Sequence, residues 1–336
     1  MSQVIIPEDY HSILAPLETQ RAIKKIKDYF QQELAYSLKL RRFTAPLFVD
    51  PQTGLNDNLN GTERRVSFTL KDMNEYPVEI VQSLAKWKRY ALGKYGIESG
   101  HGIYTDMNAI RRDEELDNLH SIYVDQWDWE KVITKEQRTT EYLHETVRTI
   151  YNSVRNLSDY VNRLYREIKN DIPNEIFFIT AQELEDMYPD KTPKEREDLI
   201  CREHHAVFVE KIGGAMQSGE KHDGRSPDYD DWELNGDIIL WNDLLDTAFE
   251  ISSMGIRVDA ESMDRQLTLA GADERREMAY HQAVMNDELP LSIGGGIGQS
   301  RICMYFLKKA HIGEVQVSVW PQDMIKTCEK NGMILL

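Results

Sequence analysis

Near its C-terminal end the chain reads Leu291-Ser-Ile-Gly-Gly-Gly-Ile-Gly-Gln-Ser-Arg301, then enters the apolar run Ile-Cys-Met-Tyr-Phe-Leu. Glycines at 294, 295, 296 and 298 allow a backbone to lie flat against a bound group. Arg301, in the first turn of the helical pattern that follows, presents a planar guanidinium suited to stacking on an aromatic base. Two phosphate-binding signatures are excluded by spacing. No Lys-Ser/Thr follows the glycines, and G-x-G-x-G is not G-x-G-x-x-G. Close packing of a helix on a strand accounts for the glycines equally well.

Other segments concentrate groups that bind anions, amines or metal. Asp57 lies in Gly54-Leu-Asn-Asp-Asn-Leu-Asn-Gly61, a setting that ordinary turn chemistry also explains. Ser83 and Lys88 flank Leu-Ala-Lys-Trp at a predicted strand-to-helix junction, where a serine also serves as a helix cap. Arg111-Arg112-Asp-Glu-Glu precedes the predicted strand Ser121–Trp129. Val124, Gln126 and Asp128 share one face of that strand, and an amide and a carboxylate beside apolar residues need partners. Arg225-Ser-Pro-Asp-Tyr-Asp-Asp-Trp232 carries an arginine together with carboxylates such as Asp230. Such a set matches the two ends of a zwitterion, or pairs with itself as a surface loop. Asp237 and Glu250 project from apolar strands, a pattern that suits Mg²⁺ held by a few carboxylates and substrate phosphate; two strand-end acids facing water give the same pattern. Cys201-Arg-Glu-His204-His205 has no second pair at zinc spacing and reads as a helix face.

These residues need elements to position them. Ile23, Ile26, Phe30, Leu34 and Leu38 recur at helical spacing, which predicts a helix over 17–39. Strands are expected at 42–49 (an edge strand, because of Pro46), 66–70 (half-buried), 77–82, 121–129, 174–180 (buried), 237–241 and 249–258. Helices are expected at 84–95, 135–169, 193–207 and, broken near Gly271, 260–286. Strands often follow strands directly, which favours an antiparallel α+β fold over a doubly wound parallel sheet. With 57 acidic and 40 basic residues the formal charge is −17. That balance disfavours a nucleic-acid partner. No apolar run approaches the roughly 18 residues that span a bilayer, the N-terminal segment has no secretory pattern, and three scattered cysteines fit a reducing compartment. A cytoplasmic location is expected.

Together these segments resemble the ammonia-dependent asparagine synthetases, the aspartate–ammonia ligases related to class II aminoacyl-tRNA synthetases. The resemblance runs from the first predicted helix to Trp320-Pro321. It is carried by Gln82-Ser-Leu-Ala-Lys-Trp-Lys-Arg89, His120-Ser-Ile-Tyr-Val-Asp-Gln-Trp-Asp-Trp-Glu130, Pro227-Asp-Tyr-Asp-Asp-Trp232, Leu234-Asn-Gly-Asp237, Phe249-Glu-Ile-Ser-Ser-Met-Gly-Ile-Arg-Val-Asp259 and Ile293–Arg301. The link between Trp232 and Leu234 is shorter than in other family members.

The resemblance implies a single catalytic domain over residues 1–336, with an antiparallel sheet flanked by helices. Motif 1 falls near 40–49, around Pro46, and implies a homodimer. Motif 2 falls near 109–130 and motif 3 near 291–308. The implied substrates are L-aspartate, ATP and ammonia, with Mg²⁺. The implied catalytic residues are Asp57, Arg111 and Gln126. Arg111 meets the α-phosphate, Gln126 touches the reacting side-chain carbonyl, and Asp57 receives ammonium as general base or binding site. Asp128 takes the substrate ammonium, and Arg225, assisted by Ser83 and Ser253, takes the α-carboxylate. Lys88, Asp230 and Ser252 complete the aspartate site. Val124, Asp237, Gly294, Gly295, Gly296, Gly298 and Arg301 join Arg111 at ATP, while Asp237 and Glu250 hold the metal.

The nitrogen source is argued from what a glutamine-dependent enzyme requires, a nucleophilic cysteine or an amidase domain. Here serine follows Met1, the cysteines sit in apolar contexts, and no spare domain is expected, so free ammonia is the expected donor. An aspartyl- or asparaginyl-tRNA synthetase-like chain is expected to carry a tRNA-binding module and a basic face. A non-catalytic amino-acid or nucleotide binder is expected to lack at least one of Arg111, Gln126, Asp237 and Arg301, all of which are present.

Overall fold

The computed structural model describes residues 4–57, 59 and 63–336. Met1, Ser2 and, in the Asp57 loop, Asn58, Asn60 and Gly61 lie outside the described residues. Helix α1 (Pro16–Leu38) opens the fold and buries Ala22, Ile26, Phe30, Leu34 and Leu38, one residue per turn. It ends where Lys39 turns left-handed at φ 59°. Strands β1 (Leu40–Arg42), β2 (Phe48–Val49), β3 (Ser67–Leu70) and β4 (Tyr76–Ile80) follow, then α2 (Ala85–Lys94), β5 (Gly102–Ile110), β6 (Tyr123–Val132) and α3 (Thr140–Leu164). Next come β7 (Phe177–Thr180), α4 (Ala181–Met187), α5 (Pro193–His204), β8 (Ala206–Glu210), β9 (Asp230–Asn242) and β10 (Thr247–Arg257). Helices α6 (Ala260–Leu269) and α7 (Ala279–Met285), strand β11 (Ser292–Gly298), and helices α8 (Gln299–Phe306) and α9 (Gln322–Lys330) complete the chain. No described helix is long and apolar enough to cross a membrane.

Eight strands form one sheet in the order β1-β5-β6-β11-β10-β9-β8-β7. All interior pairings are antiparallel, and only the outermost pairs, β1 with β5 and β7 with β8, run parallel. A separate three-stranded sheet has the order β2-β4-β3.

Alternation along the strands decides which face is dry. Trp127, Trp129, Phe208, Ile238, Leu240, Ile293 and Ile297 join one core with apolar residues of α1, α3 and α8. On the other face, Ile179, Val207, Val209, Ile239 and Trp241 pack with α4 and α5, while Ile103 packs with α2. On that second face α2 packs against part of β6 and β11, and beside it Gln126 and Asp128 of β6 and Glu250 and Ser253 of β10 line an open cleft.

Several expectations change. The predicted strand 42–49 is two strands in different sheets: β1 ends at Arg42 and β2 begins at Phe48, with Pro46 in the connection. Strand β3 is exposed rather than half-buried, because it is an edge of the three-stranded sheet. Strand β7 is only partly buried, since it is the sheet edge. Val207 belongs to β8, not to the preceding helix, which His205 ends with a left-handed residue at φ 60°. Trp232 to Leu234 is no loop but the interior of β9. Strand β5 was not anticipated, and the glycines at 294–298 are themselves the strand, which runs directly into α8.

Candidate active site

The middle of the sheet, beside α2, floors a cleft of about 430 Å³. It is lined by Asp57, Ser83, Lys88, Arg111, Val124, Gln126, Asp128, Arg225, Asp230, Glu250, Ser253, Gly295, Gly296, Gly298 and Arg301. Residues from 57 to 301 thus meet in one place. Three residues expected in the site do not line this cleft. Ser252 is buried in β10 and its hydroxyl has no hydrogen-bond partner. Gly294 lies beneath Glu130. Asp237 borders an adjoining cavity that shares Glu250 and Arg301 with the cleft.

The glycines have separate reasons. Gly296 lies opposite Asp128 and Gly298 opposite Gln126. A Cβ on Gly296 would collide with the Gln126 amide and lie 2.7 Å from Asp128 Oδ1, and one on Gly294 would overlap the Glu130 carboxylate. These two glycines therefore admit neighbouring side chains across the sheet face, not a nucleotide directly. Gly295 faces the other way, where a Cβ would lie 2.6 Å from Met254 Cβ and 2.7 Å from Ser253 O. Gly295→Ala is therefore expected to lower stability by about 1–3 kcal/mol through overpacking. Gly296→Ala, whose neighbours are flexible side-chain ends, is expected to melt close to the parent. Denaturant titration of both variants checks the order.

At one end of the cleft Lys88 Nζ donates to Gly295 O at 2.8 Å and lies 3.5 Å from Asp128 Oδ2. Burial pulls the Lys88 ammonium below its usual range against the carboxylates of Asp128 and Glu130. Burial pushes Asp128 up, against Lys88 and Arg257. Beneath them Arg257 donates to both oxygens of Glu130, at 2.9 and 2.8 Å, and to Asp230 Oδ1. Ser292 Oγ adds a bond to Glu130 at 2.7 Å. Burial opposes ionisation of Glu130, yet Arg257 and Lys88 outweigh it and hold the carboxyl below its usual value. Sequence reasoning singled out neither Glu130 nor Arg257. The available signal was spacing: Glu130 stands two residues beyond Asp128, hence on the same strand face.

At the other end Arg225 is gripped by both oxygens of Asp237. Burial, with Glu250, Asp223 and Glu197 nearby, pushes Asp237 up to about 8 despite Arg225. Glu250 is held below its usual value, because Arg301, Arg225, His120 and Arg111 outweigh its burial. Arg301 Nη1 donates to Glu250 O at 2.9 Å and lies 3.4 Å from its Oε2. Asp237 and Glu250 supply two carboxylates, with Arg225 and Arg301 as their present partners, and Mg²⁺ typically takes one or two carboxylates plus phosphate. Those two residues therefore fit such a cation. No larger metal-holding group of His, Cys, Asp or Glu occurs among the described residues.

Four buried polar atoms of cleft residues have no hydrogen-bond partner among the described residues: Asp57 Oδ2, Arg111 Nε, Arg225 Nε and Gln316 Oε1. Buried groups of this kind are costly unless a ligand or water satisfies them. They leave the cleft with acceptors on Asp57 and Gln316 and donors on two arginines. The cleft offers cationic groups for phosphate, an arginine beside a carboxylate for a zwitterion, and an acid for an amine.

A family model described as aspartate–ammonia ligase matches residues 17–332. The aspartate–ammonia ligase of Clostridium tetani is 60% identical over 334 residues, covering 99% of this chain and 98% of its own length. That of Bacillus cereus strain B4264 is 58% identical, covering 97% of this chain and 99% of its own length. Among solved structures, asparaginyl-tRNA synthetase from Pyrococcus horikoshii complexed with asparaginyl-adenylate matches with a TM-score of 0.66 at 14% identity, over 90% of this chain and 70% of that one. Asparaginyl-tRNA synthetase of Entamoeba histolytica matches with a TM-score of 0.64 at 13% identity, over 90% of this chain and 66% of that one. The shared fold is the α+β class II aminoacyl-tRNA synthetase type, an antiparallel sheet flanked by helices. By sequence along almost its whole length, the chain belongs to the aspartate–ammonia ligase family.

Proposed function

We propose that the protein makes L-asparagine from L-aspartate, ATP and ammonia, releasing AMP and pyrophosphate through a β-aspartyl adenylate. The observation that carries this reading is the convergence in one cleft of Arg111, Gln126, Asp128, Arg225 and Arg301. A carboxylate is a poor acyl donor, so its oxygen first attacks the α-phosphorus of ATP and pyrophosphate leaves. Arg111 stabilises the charge that develops there. Mg²⁺ held by Asp237 and Glu250 would add positive charge at the phosphates. Arg301 lies over adenine, its stem packed against Gly298.

Aspartate is held at both ends. Asp128 takes its ammonium, with Asp230 nearby, and Arg225 takes its α-carboxylate with Ser83 and Ser253. Lys88 and Gln126 serve the side-chain carboxyl, which the short reach between Asp128 and Lys88 supports. Ammonia then attacks the acyl carbon, and Asp57 receives the proton that ammonium must lose. Gly296→Ala, which displaces the Gln126 amide, is expected to lower kcat/KM at least tenfold while its melting stays close to the parent's.

Free ammonia is the nitrogen source in this reading. All three cysteines are buried. Burial pushes the Cys303 thiol up to about 12 and Cys328 to about 11, and raises Cys201 further. None has the thiolate character of a nucleophile. Ammonium chloride should therefore support formation of asparagine and AMP from aspartate, ATP and Mg²⁺, and glutamine should not; equal rates with glutamine would remove the ammonia assignment.

The chain acts in the cytoplasm as a homodimer in this reading, without nucleic acid. Exposed Leu47, Phe48 and Phe68 near Pro46, with the two rings packed edge to face at 5.2 Å, support an interface there.

A further inference from the structure

Arg225 and Asp237 each have a ligand in the reading above, yet here they hold one another. Arg225 lines the cleft, whereas Asp237 lines only the adjoining cavity. Arg225 Nη2 donates to both Asp237 oxygens, so the guanidinium reaches from the cleft wall to the carboxylate behind it. The two side chains are 12% and 6% exposed. Among the described residues no other hydrogen bond reaches the Asp237 carboxylate. Glu197, Asp223 and Glu250 line the same cavity. Its other cationic or titratable nitrogens are already engaged. Lys194 donates to Ala248 O, with Glu197 and Asp198 close by, and Arg301 donates to Glu250. His120 is paired with Asp117 and His222 with Glu197. Arg225 is therefore the cation on which Asp237 depends, and a buried carboxylate that loses its cation needs another.

Glu250 is in a different condition. It is half-buried, Arg301 Nη1 lies 3.4 Å from its Oε2, and the shorter bond, at 2.9 Å, goes to its backbone oxygen. Glu250 can take a cation where it stands, while Asp237 has both oxygens covered by a positive group that repels one. The grip on Asp237 is also not the best that Arg225 can make. A guanidinium holds a carboxylate most firmly through two parallel N–H···O bonds. Here one nitrogen, Nη2, serves both oxygens, and the neighbouring Nε is buried without a partner. A carboxylate arriving in the cleft can offer Arg225 the pairing through Nε and Nη2 that Asp237 does not.

We propose that the Arg225–Asp237 pair is a lock on the metal site: the α-carboxylate of L-aspartate draws the guanidinium off Asp237, and the freed carboxylate joins Glu250 in taking a divalent cation. The inference rests on the ligase reading and deepens it by joining the aspartate subsite to the metal site. Neither buried charge is left unpaired by the exchange. Arg225 trades one carboxylate for another, and Asp237 trades a guanidinium for the cation. Aspartate and the cation therefore bind cooperatively, and each tightens the other by the same factor.

Mn²⁺ is the probe, with no nucleotide present so that nothing turns over. The EPR signal of the free ion gives its affinity for the full chain, once a titration without protein has accounted for aspartate's own complex with the ion. L-Aspartate is expected to tighten Mn²⁺ binding about tenfold, within the usual range for coupled sites. Calorimetry of aspartate with and without Mn²⁺ is expected to return the same factor. β-Alanine keeps the ammonium and the side-chain carboxyl but lacks the α-carboxylate, and is expected to leave Mn²⁺ affinity unchanged. Arg225→Lys keeps the charge but not the fork, so it is expected to bind Mn²⁺ more tightly than the parent without aspartate and to gain less from aspartate. Asp237→Asn is expected to bind Mn²⁺ equally with and without aspartate. Where a variant does not fold, the parent's response to aspartate against β-alanine decides. Equal Mn²⁺ affinity with and without aspartate in the parent, equal tightening by β-alanine, or an aspartate effect that survives Asp237→Asn overturns the inference. A parent that makes asparagine but shows no coupling loses this inference alone. One that forms neither adenylate nor asparagine overturns the ligase reading and this inference with it.

Discussion

Arg111→Ala is expected to lower formation of AMP from aspartate and ATP by about two to three orders of magnitude, the usual consequence of removing a preorganised donor from a developing negative charge. Its fold should persist. Arg111 is half-buried just after β5, and its buried Nε has no hydrogen-bond partner among the described residues. The loss should appear in aspartate-dependent pyrophosphate exchange, before ammonia enters. A variant that exchanges at a near-normal rate would take Arg111 out of the adenylation step. A variant that exchanges poorly but melts early would make it a structural residue instead.

Arg257→Met is expected to act on the other side of the balance, costing stability of about 3–5 kcal/mol. Arg257 is 2% exposed, and Glu130 and Asp230 are 0% and 1% exposed. Methionine fills similar volume but leaves two buried carboxylates without their cation. Glu130 is depressed in the folded protein, so its contribution is present at neutral pH and disappears as pH falls through the carboxylate range. The stability gap between parent and variant should therefore narrow on acidification. Denaturant unfolding at neutral and acidic pH measures it; a variant as stable as the parent at neutral pH would mean the network holds geometry without holding the fold. Activity should fall as well, because Asp230 and Glu130 lie beneath Lys88 and Asp128.

Much of this site was legible along the chain, for identifiable reasons. Gln126 and Asp128 stood out because strand alternation put them on a face shared with Val124, and the cleft is on that face. Arg301 stood out because it follows glycines at a helix start, and it does reach the cleft from the first turn of α8. The charge network beneath the floor was not legible. Lys86, Arg275 and His281 all meet Asp228 Oδ2 although they are separated by up to 195 residues, from 86 to 281, and their pairing is created by packing α2, α7 and the turn before α7 around one aspartate. Strand β5 was missed because Gly102–Ile110 mixes Asp, Asn and Thr with apolar residues. Its polar positions find partners only once the fold is made, as where Gln299 of α8 donates to Asp106.

Residue order alone carried part of the elements and the family. Periodicity is local, so α1, α2, β6 and β10 emerge from residue order, and motif types survive without coordinates. What the glycines make room for, and which acids are buried, came from the packing of distant segments. Gly294 and Gly296 make room for Glu130, Gln126 and Asp128 because β11 pairs with β6 in one particular register. Asp57 and Asp237 differ from ordinary surface acids because burial withdraws their solvation while distant charges take its place. Register and burial depend on residues far apart in the chain, and no local pattern encodes them.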